Sequence, residues 1–391
     1  MVENSWSPSL RVRVLARMLL LLFLLAMFEG AARLVFHFKG AFHSKLNEYQ
    51  MVDPANHRLW ILRPGYRQTL NGLVAEKQRT SHTLAVDYLA QRGAQLGVHP
   101  EDVLFQVDRD GFKGPEIDKR HSRVRILTLG VSCTFGSWFD QYSYPRALER
   151  ELKSSGRDVE VINAGVEGYS PAQVLERINE FKALRPEITT IYIGWNALFS
   201  DDALPDGFHY YTWMLLERSY ERLFPYRAAR ESYQRPKHPN RNDPELVRLE
   251  GYVPPFMKEV QQIIREMQTT GSKVVLITIP GLFTTQEEPT ARSLQIGHLP
   301  RYTSNPFVLA RMAERYNAGL RAMAQQSGLQ VIDLEKWSTV ALQPRDKYFF
   351  DSVHLYEEGQ AMIGKEIAAE LAPTFSAPQA AAPDTSIKES D

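Results

Sequence analysis

The sequence contains very little cysteine and no excess of charge of either sign. Cys133 is the only cysteine among 391 residues, which excludes an intramolecular disulfide and a metal site built from several cysteines. Lysine plus arginine and aspartate plus glutamate number 46 each, so the chain has no general electrostatic attraction to nucleic acid. A glycine-rich phosphate loop, a cluster of metal-ligand residues and an internal repeat are also lacking in the sequence. We therefore predict no metal, no cofactor and no nucleic-acid partner.

Only one stretch of the chain is strongly apolar, and it lies near the N-terminus. The apolar run 18–28 continues beyond Glu29 and Arg33, and three arginines precede it: Arg11, Arg13 and Arg17. A membrane-spanning helix needs about 20 residues, which this segment reaches when Glu29 and Arg33 are included. A cleaved signal peptide has the same charged start, but no small-residue cleavage site ends the run. We predict an uncleaved, single-pass membrane anchor in residues 1–39, with the rest of the protein facing the periplasm or cell exterior.

From residue 123 onward, short apolar runs alternate with amphipathic segments. Five runs have the length and β-branched composition of buried strands: Val124–Leu129, Val159–Ile162, Thr190–Ile193, Lys273–Ile279 and Gln330–Leu334. Five segments have helical periodicity: Tyr144–Lys153, Pro171–Leu184, Pro255–Thr269, Pro306–Gln326 and Glu357–Leu371. Continuous apolar strands that alternate with helices are typical of parallel sheets. We predict an α/β fold with a doubly wound, parallel five-stranded sheet flanked by helices.

Residue types that are found in acyl-transfer sites follow three of these strands, and two more lie in the loop before the last helix. Ser132 follows the first strand, Gly165 the second and Asn196 the third, while Asp351 and His354 share the loop before the last helix. Parallel strands end at the same edge of a sheet, and ligands bind beyond that edge. The set supplies a nucleophile, a base, a group to orient the base, and hydrogen-bond donors for an oxyanion.

At these residues the chain resembles the SGNH hydrolase superfamily, whose members are also called GDSL esterases and lipases. That family is named for a Ser, a Gly, an Asn and a His in four sequence blocks. Four segments match in the right order: Leu129-Gly130-Val131-Ser132, Asn163-Ala164-Gly165, Gly194-Trp195-Asn196 and Asp351-Ser352-Val353-His354. Four blocks in order on a matching strand–helix alternation are a specific signal.

The resemblance implies a role for each matched residue. Ser132 attacks an ester carbonyl, His354 takes its proton and later protonates the leaving alcohol, and Asp351 holds the His354 tautomer. The backbone amides of Ser132 and Gly165 and the side-chain amide of Asn196 form the oxyanion hole.

The sequence departs from the family pattern at two positions. Val131 and Ala197 stand where family members usually have aspartate, although neither aspartate is a direct catalytic group. Cys133 is an alternative nucleophile to Ser132, but the side chains of two consecutive residues in one turn cannot both point into the same site. We interpret Cys133 as a small buried residue.

The regions around the sheet define the predicted domain organisation. Residues 40–120 form an N-terminal extension that packs on a catalytic domain of residues 121–372, and a disordered tail follows at 373–391. An insertion at 200–249 carries many aromatics, among them Tyr210, Tyr211 and Trp213. We interpret these as the core of a subdomain, with a sugar-stacking surface as the alternative.

These features predict a serine esterase that hydrolyses acyl esters, most simply acetyl esters, on an envelope or secreted carbohydrate. An O-acyltransferase would use the same triad, with a sugar hydroxyl in place of water. A non-catalytic binding module or a membrane-anchored scaffold could also retain the fold.

Overall fold

The computed structural model describes seven parts of the chain: 10–39, 46–55, 59–79, 83–199, 236, 239–300 and 302–375. The chain forms two compact units, of which the first contains 1–60 with 209–230, and the second contains 61–208 with 231–391. In the first unit, helix α1 is Leu10–Lys39 and strand β1 is Gln50–Val52. The boundary between the units falls within strand β2, Trp60–Leu62.

Helix α1 coincides with the segment for which the sequence predicts a transmembrane anchor. Among the described residues, no helix combines the length and the apolar character needed to cross a membrane. The predicted transmembrane helix is therefore not supported.

The second unit contains the remaining elements. Its strands are β3 (Arg67–Thr69), β4 (Val103–Gln106), β5 (Val124–Gly130), β6 (Val159–Gly165), β7 (Ile188–Tyr192), β8 (Lys273–Ile277) and β9 (Gln330–Ile332). Its longer helices are α2 (Leu70–Arg79), α3 (Thr83–Gln95), α5 (Tyr144–Ser154), α10 (Met257–Gln268), α12 (Pro306–Ser327), α13 (Leu334–Ala341) and α15 (Glu357–Leu371). Its shorter helices are α4 (Ser132–Phe135), α6 (Pro171–Glu176), α7 (Ile178–Ala183), α8 (Trp195–Leu198), α9 (Pro244–Arg248), α11 (Ala291–Ile296) and α14 (Arg345–Tyr348).

The central sheet has five parallel strands in the order β6-β5-β7-β8-β9. This sheet, flanked by helices, confirms the predicted α/β fold. All residues of β6 and β7 are buried, and most of them are apolar. The buried polar residues of these strands are Glu160, Asn163, Thr189 and Thr190. The chain passes from β5 to β6 on one side and then to β7 on the other side of β5. The strand order thus reverses at β5, and a crevice opens there between the loops that follow β5 and β7.

One predicted helix is two helices in the structure. The sequence predicts a single helix over Pro171–Leu184, whereas α6 ends at Glu176 and α7 begins at Ile178. Arg177 lies between them with φ −95° and ψ 7°. Its buried guanidinium pairs with Glu180 at 2.7 Å and lies over the Phe181 ring. We attribute the break to this inward side chain, which hydrophobic periodicity does not reveal.

Some predictions concern residues outside the described parts of the chain. These include the insertion aromatics Tyr210, Tyr211 and Trp213 and the tail beyond residue 375. The domain boundaries placed at 39, 120 and 372 stay predictions.

Candidate active site

The nucleophile turn connects β5 directly to α4. Ser132 is the first residue of α4, so its amide N–H has no acceptor within the helix. The turn depends on Gly130, where a Cβ would lie 1.7 Å from Thr134 Oγ1 and 2.8 Å from the Tyr192 carbonyl oxygen. No side chain fits at residue 130, and the chain can therefore turn sharply enough to present Ser132 at the edge of the sheet.

Ser132, His354 and Asp351 form a continuous hydrogen-bonded chain. His354 Nε2 lies 2.7 Å from Ser132 Oγ, and His354 Nδ1 lies 2.7 Å from Asp351 Oδ2. The other carboxylate oxygen, Oδ1, accepts the backbone N–H groups of Val353 and His354, each at 2.8 Å. The structure therefore brings a nucleophile, its base and the group that orients the base into hydrogen-bond contact.

The electrostatics of this chain keep Asp351 ionised. Burial acts to raise the pKa of the Asp351 carboxyl, but the charge and hydrogen bond of His354, with weaker contributions from His298 and the Val353 amide, lower it to about 2. Asp351 is a carboxylate at neutral pH and accepts a hydrogen bond from His354 Nδ1–H. Nε2 then faces Ser132 as the acceptor, which is the tautomer a general base requires.

Cys133, the neighbour of Ser132, is buried beside the site. Its thiol donates to the Val353 carbonyl oxygen at 3.5 Å, and its side chain is buried. Burial raises the pKa of the thiol well above its usual value, so it stays protonated. The interpretation of Cys133 as a small buried residue is confirmed.

Asn196 stands at the start of α8 with its side chain oriented by a backbone group. Its Nδ2 donates to the Tyr169 carbonyl oxygen at 2.9 Å. An amide nitrogen carries two hydrogens, and within the described structure the second has no acceptor from the protein. Asn196 can therefore donate to an oxyanion without giving up the contact that fixes its orientation.

Gly165 has a packing role that the sequence did not reveal. Its amide N–H already donates to Asn163 Oδ1 at 2.9 Å. A Cβ at this position would lie 2.1 Å from the Phe135 nitrogen and 2.6 Å from the Thr134 carbonyl carbon. The absence of a side chain thus lets the end of β6 contact α4. Gly168, which is exposed and has φ +82°, is a turn glycine in the loop that follows β6.

A buried lysine supports the other end of α4, and sequence reasoning missed its function. Lys113 Nζ donates to the carbonyl oxygens of Phe135 and Ser137 at 2.8 and 2.7 Å and lies 3.3 Å from Asp140 Oδ1. Asn163 Nδ2 also donates to the Phe135 carbonyl, at 3.4 Å. Burial lowers the pKa of Lys113, while Asp140 favours its charged form. The sequence carries only a weak signal, a lysine between Phe112 and Gly114.

His298 is a second histidine close to the triad that the sequence did not single out. Its Nδ1 lies 4.0 Å from Asp351 Oδ2. Its backbone N–H donates to Ser352 Oγ at 2.9 Å, and the same hydroxyl donates to the His298 carbonyl. His298 therefore ties the loop that follows β8 to the turn that carries Asp351 and His354.

The two departures from the family pattern are accommodated by burial. Val131 is 1% exposed and precedes α4 without capping it, and Ala197 is 6% exposed within α8. Buried apolar side chains thus stand at the two positions where family members usually have aspartate. In the described part of the chain, no three or more His, Cys, Asp or Glu side chains are placed to hold a metal ion.

Family membership follows from residues 128–362. Over this range, which is more than half of the chain, the sequence matches the model of the GDSL-like lipase/acylhydrolase family. The chain belongs to that family. The resemblance stated from the four sequence blocks is thereby confirmed, and GDSL-like membership indicates an ester hydrolase.

Solved structures with a similar fold include two named enzymes. A lipase/acylhydrolase from Enterococcus faecalis is 19% identical, with a TM-score of 0.39, over 66% of this chain and 99% of that chain. A catalytic mutant of an acetylxylan esterase from Geobacillus stearothermophilus is 13% identical, with a TM-score of 0.41, over 65% of this chain and 95% of that chain. No curated protein matches the chain.

Proposed function

We propose that this GDSL-like protein is a serine esterase that hydrolyses acyl esters, most simply acetyl esters, of a carbohydrate through an acyl-Ser132 intermediate. The observation that carries the proposal is the hydrogen-bonded chain from Ser132 Oγ through His354 to Asp351, with both contacts at 2.7 Å. A nucleophile, a correctly oriented base and an ionised orienting group are the parts that acyl transfer needs.

In the first half-reaction, Ser132 Oγ attacks the ester carbonyl carbon while His354 Nε2 takes its proton. The carbonyl oxygen becomes an oxyanion, for which the Ser132 amide and Asn196 Nδ2 are the available donors. A third donor is the backbone amide of Gly165, at the end of β6, once it leaves Asn163. Each such donor stabilises the transition state by about 3–4 kcal/mol. The imidazolium then protonates the alcohol oxygen, and the acyl–oxygen bond of the ester breaks.

In the second half-reaction, His354 takes a proton from water, and the resulting hydroxide attacks the acyl-Ser132 carbonyl. The intermediate collapses with return of the proton to Ser132 Oγ, and the carboxylic acid leaves. Asp351 stabilises the imidazolium in both halves.

Two other functions make different use of the same fold. An O-acyltransferase would replace water with a sugar hydroxyl, and acetylated sugar rather than free acetate would then be the main product. A non-catalytic binding module has no need for a nucleophile within hydrogen-bond distance of a base. The assembled triad therefore favours an enzyme over a binding module.

The location outside the cytoplasm is a separate proposal that rests on the sequence. Arg11, Arg13 and Arg17 precede the apolar run 18–28, and positive residues favour the cytoplasmic side. Protease added to spheroplasts should digest the triad-bearing part of the chain. Full protection of this part in intact spheroplasts would reject the proposal.

The nucleophile assignment is tested on the full-length protein with p-nitrophenyl acetate and a fluorophosphonate probe. Wild type should release p-nitrophenol and be labelled at Ser132, whereas Ser132→Ala should do neither. Cys133→Ala is the matched control at the neighbouring position and should still be labelled. Labelling that persists in Ser132→Ala, or wild type without esterase activity, would overturn the proposed function.

A further inference from the structure

Four aromatic side chains form a partly exposed patch beside the catalytic histidine. The aromatic patch consists of Tyr88, Trp138, Phe350 and Tyr356. Ring centroids are 5.6 Å apart for Phe350 and Tyr356, 6.4 Å for Phe350 and Tyr88, and 6.5 Å for Tyr88 and Trp138. Each member contacts another, so the patch is a single continuous surface feature.

Phe350 joins this patch to the triad. Its ring stacks on the His354 imidazole with a centroid distance of 5.4 Å and an interplanar angle of 12°. Even so, 42% of Phe350 is exposed. A large apolar ring that is exposed next to a catalytic base has part of its surface available for a substrate.

The chemistry of ester cleavage indicates which part of a substrate lies beside His354. The alcohol oxygen must come within hydrogen-bond distance of His354 Nε2, because this nitrogen protonates it as it leaves. The carbonyl oxygen must instead face the donors at Ser132 and Asn196. The groups that flank His354 therefore border the alcohol part of the ester. An aromatic patch adjoining His354 is placed to contact the alcohol rather than the acyl chain.

Buried polar contacts hold the patch in place. The Tyr88 hydroxyl donates to Glu357 Oε1 at 2.8 Å, Arg92 Nε donates to Glu357 Oε2 at 2.8 Å, and Ser137 Oγ donates to Glu357 Oε1 at 2.6 Å. Glu357 is 2% exposed, so one buried carboxylate ties α3 to the loop that carries Trp138. Because the Tyr88 ring is already fixed by its hydroxyl, a saccharide that stacks on it loses little entropy in ordering that ring.

Charged groups accompany the patch. Arg92 pairs with the exposed Glu358 beside it, and the buried Lys77 places its Nζ over one face of the Trp138 ring, 5.3 Å from the ring centre. A surface with aromatic faces and hydrogen-bonding groups at its edge suits a saccharide, which has apolar C–H faces and hydroxyl groups around its rim. A fatty alcohol would be matched better by apolar walls.

We infer that the aromatic patch of Tyr88, Trp138, Phe350 and Tyr356 binds the saccharide that carries the leaving alcohol. The inference rests on the proposed esterase function and adds a location for the sugar. Tyr88 precedes residues 128–362, so α3 contributes to this surface from outside the segment matched to the family.

Binding is measured without turnover by calorimetry, with acetylated xylotetraose added to full-length Ser132→Ala. The saccharide should bind saturably, and the double variants Ser132→Ala/Phe350→Ala and Ser132→Ala/Trp138→Ala should bind about tenfold more weakly, since each loses one stacking ring. The matched control is Ser132→Ala/Val340→Ala, because Val340 is an apolar residue of α13 that is 83% exposed. This control should bind with the affinity of the parent. Absence of saturable saccharide binding, or equal affinity in all four proteins, would overturn the inference.

Kinetics separate this inference from the proposed function. The ratio of kcat/KM for acetylated xylotetraose to kcat/KM for p-nitrophenyl acetate should fall about tenfold in Trp138→Ala. An unchanged ratio in an active enzyme would refute the saccharide surface and leave the esterase proposal intact. Wild type inactive on both esters, with saturable saccharide binding, would refute the esterase and keep the surface. Weaker activity of Trp138→Ala on p-nitrophenyl decanoate alone would instead show that the patch binds acyl chains.

Discussion

Replacement of Gly165 by alanine tests how the nucleophile turn is held. The added Cβ would lie 2.1 Å from the Phe135 nitrogen, which is about 1.3 Å short of the 3.4 Å at which ordinary van der Waals contact begins. The obstructing atoms belong to the backbone of α4 and cannot rotate away. The end of β6 and α4 must therefore separate by about 1 Å, and Ser132 is the first residue of the element that moves.

Two effects of measurable size follow from this displacement. Overpacking of this kind costs about 3 kcal/mol in the free energy of unfolding, at the upper end of the usual range because backbone has to move. A displacement of about 1 Å at a reacting group lowers activity on the order of 100-fold. Because alanine keeps the backbone N–H, the loss of activity would arise from the changed positions of Ser132 and the residue-165 amide, and not from deletion of an oxyanion donor.

Urea unfolding and kcat/KM on p-nitrophenyl acetate measure both effects in Gly165→Ala. The matched control is Gly319→Ala in α12, where the added Cβ meets only the flexible end of Met257, at 3.0 Å. Alanine is favoured over glycine in a helix by about 1 kcal/mol, so this variant should be as stable as wild type or slightly more stable. A Gly165→Ala protein with wild-type stability and activity would refute the packing argument.

Two further predictions concern charged groups of the site. Asp351→Asn should lower kcat on the order of 10⁴-fold, because an amide favours the wrong His354 tautomer. Since the pKa of Asp351 is lowered to about 2, its ionisation stabilises wild type above pH ~4, and this contribution is lost as the pH falls from about 4 to about 2. Urea titrations should therefore show a weaker pH dependence in Asp351→Asn over that interval, and equal slopes would contradict this. Lys113→Met should cost about 3–5 kcal/mol because it leaves Asp140 without its cation, and Lys113→Met/Asp140→Asn should recover part of the loss. A double variant no more stable than Lys113→Met would refute the pairing.

Much of the fold and the triad could be predicted because the evidence for them is local in the sequence. Each strand of the central sheet contains a short run of apolar or β-branched residues, and the last helix is predicted at its observed bounds, Glu357–Leu371. Asp351 and His354 are three residues apart, which is close enough for a contact within one turn. Ser132 directly follows a strand. In each case the neighbours along the chain determine the structure.

The features of the site that could not be predicted depend on contacts between residues that are distant in sequence. Lys113 looks like a solvated lysine until β6 and α4 surround it, and Tyr88 meets Glu357 across 269 residues. The hydrogen bond between the Gly165 amide and Asn163 is local, but only backbone geometry shows that it forms. Periodicity and motif spacing carry no information about such contacts.

These contacts show that residues before the family match help to hold the active site together. The family match begins at residue 128, yet the carbonyl at the end of α4 is held by Lys113, and Glu357 is bound by Tyr88 and Arg92. Removing residues before 124, where β5 begins, would leave Asp140 and Glu357 without these partners, and a buried charge without its partner is strongly destabilising. The family usually supports its nucleophile turn with an aspartate where this chain has the buried Val131. Here the preceding chain provides polar support to the opposite end of α4 through Lys113. The segment before residue 128 is thus part of the active-site structure, and substitutions in it should change catalysis as well as stability.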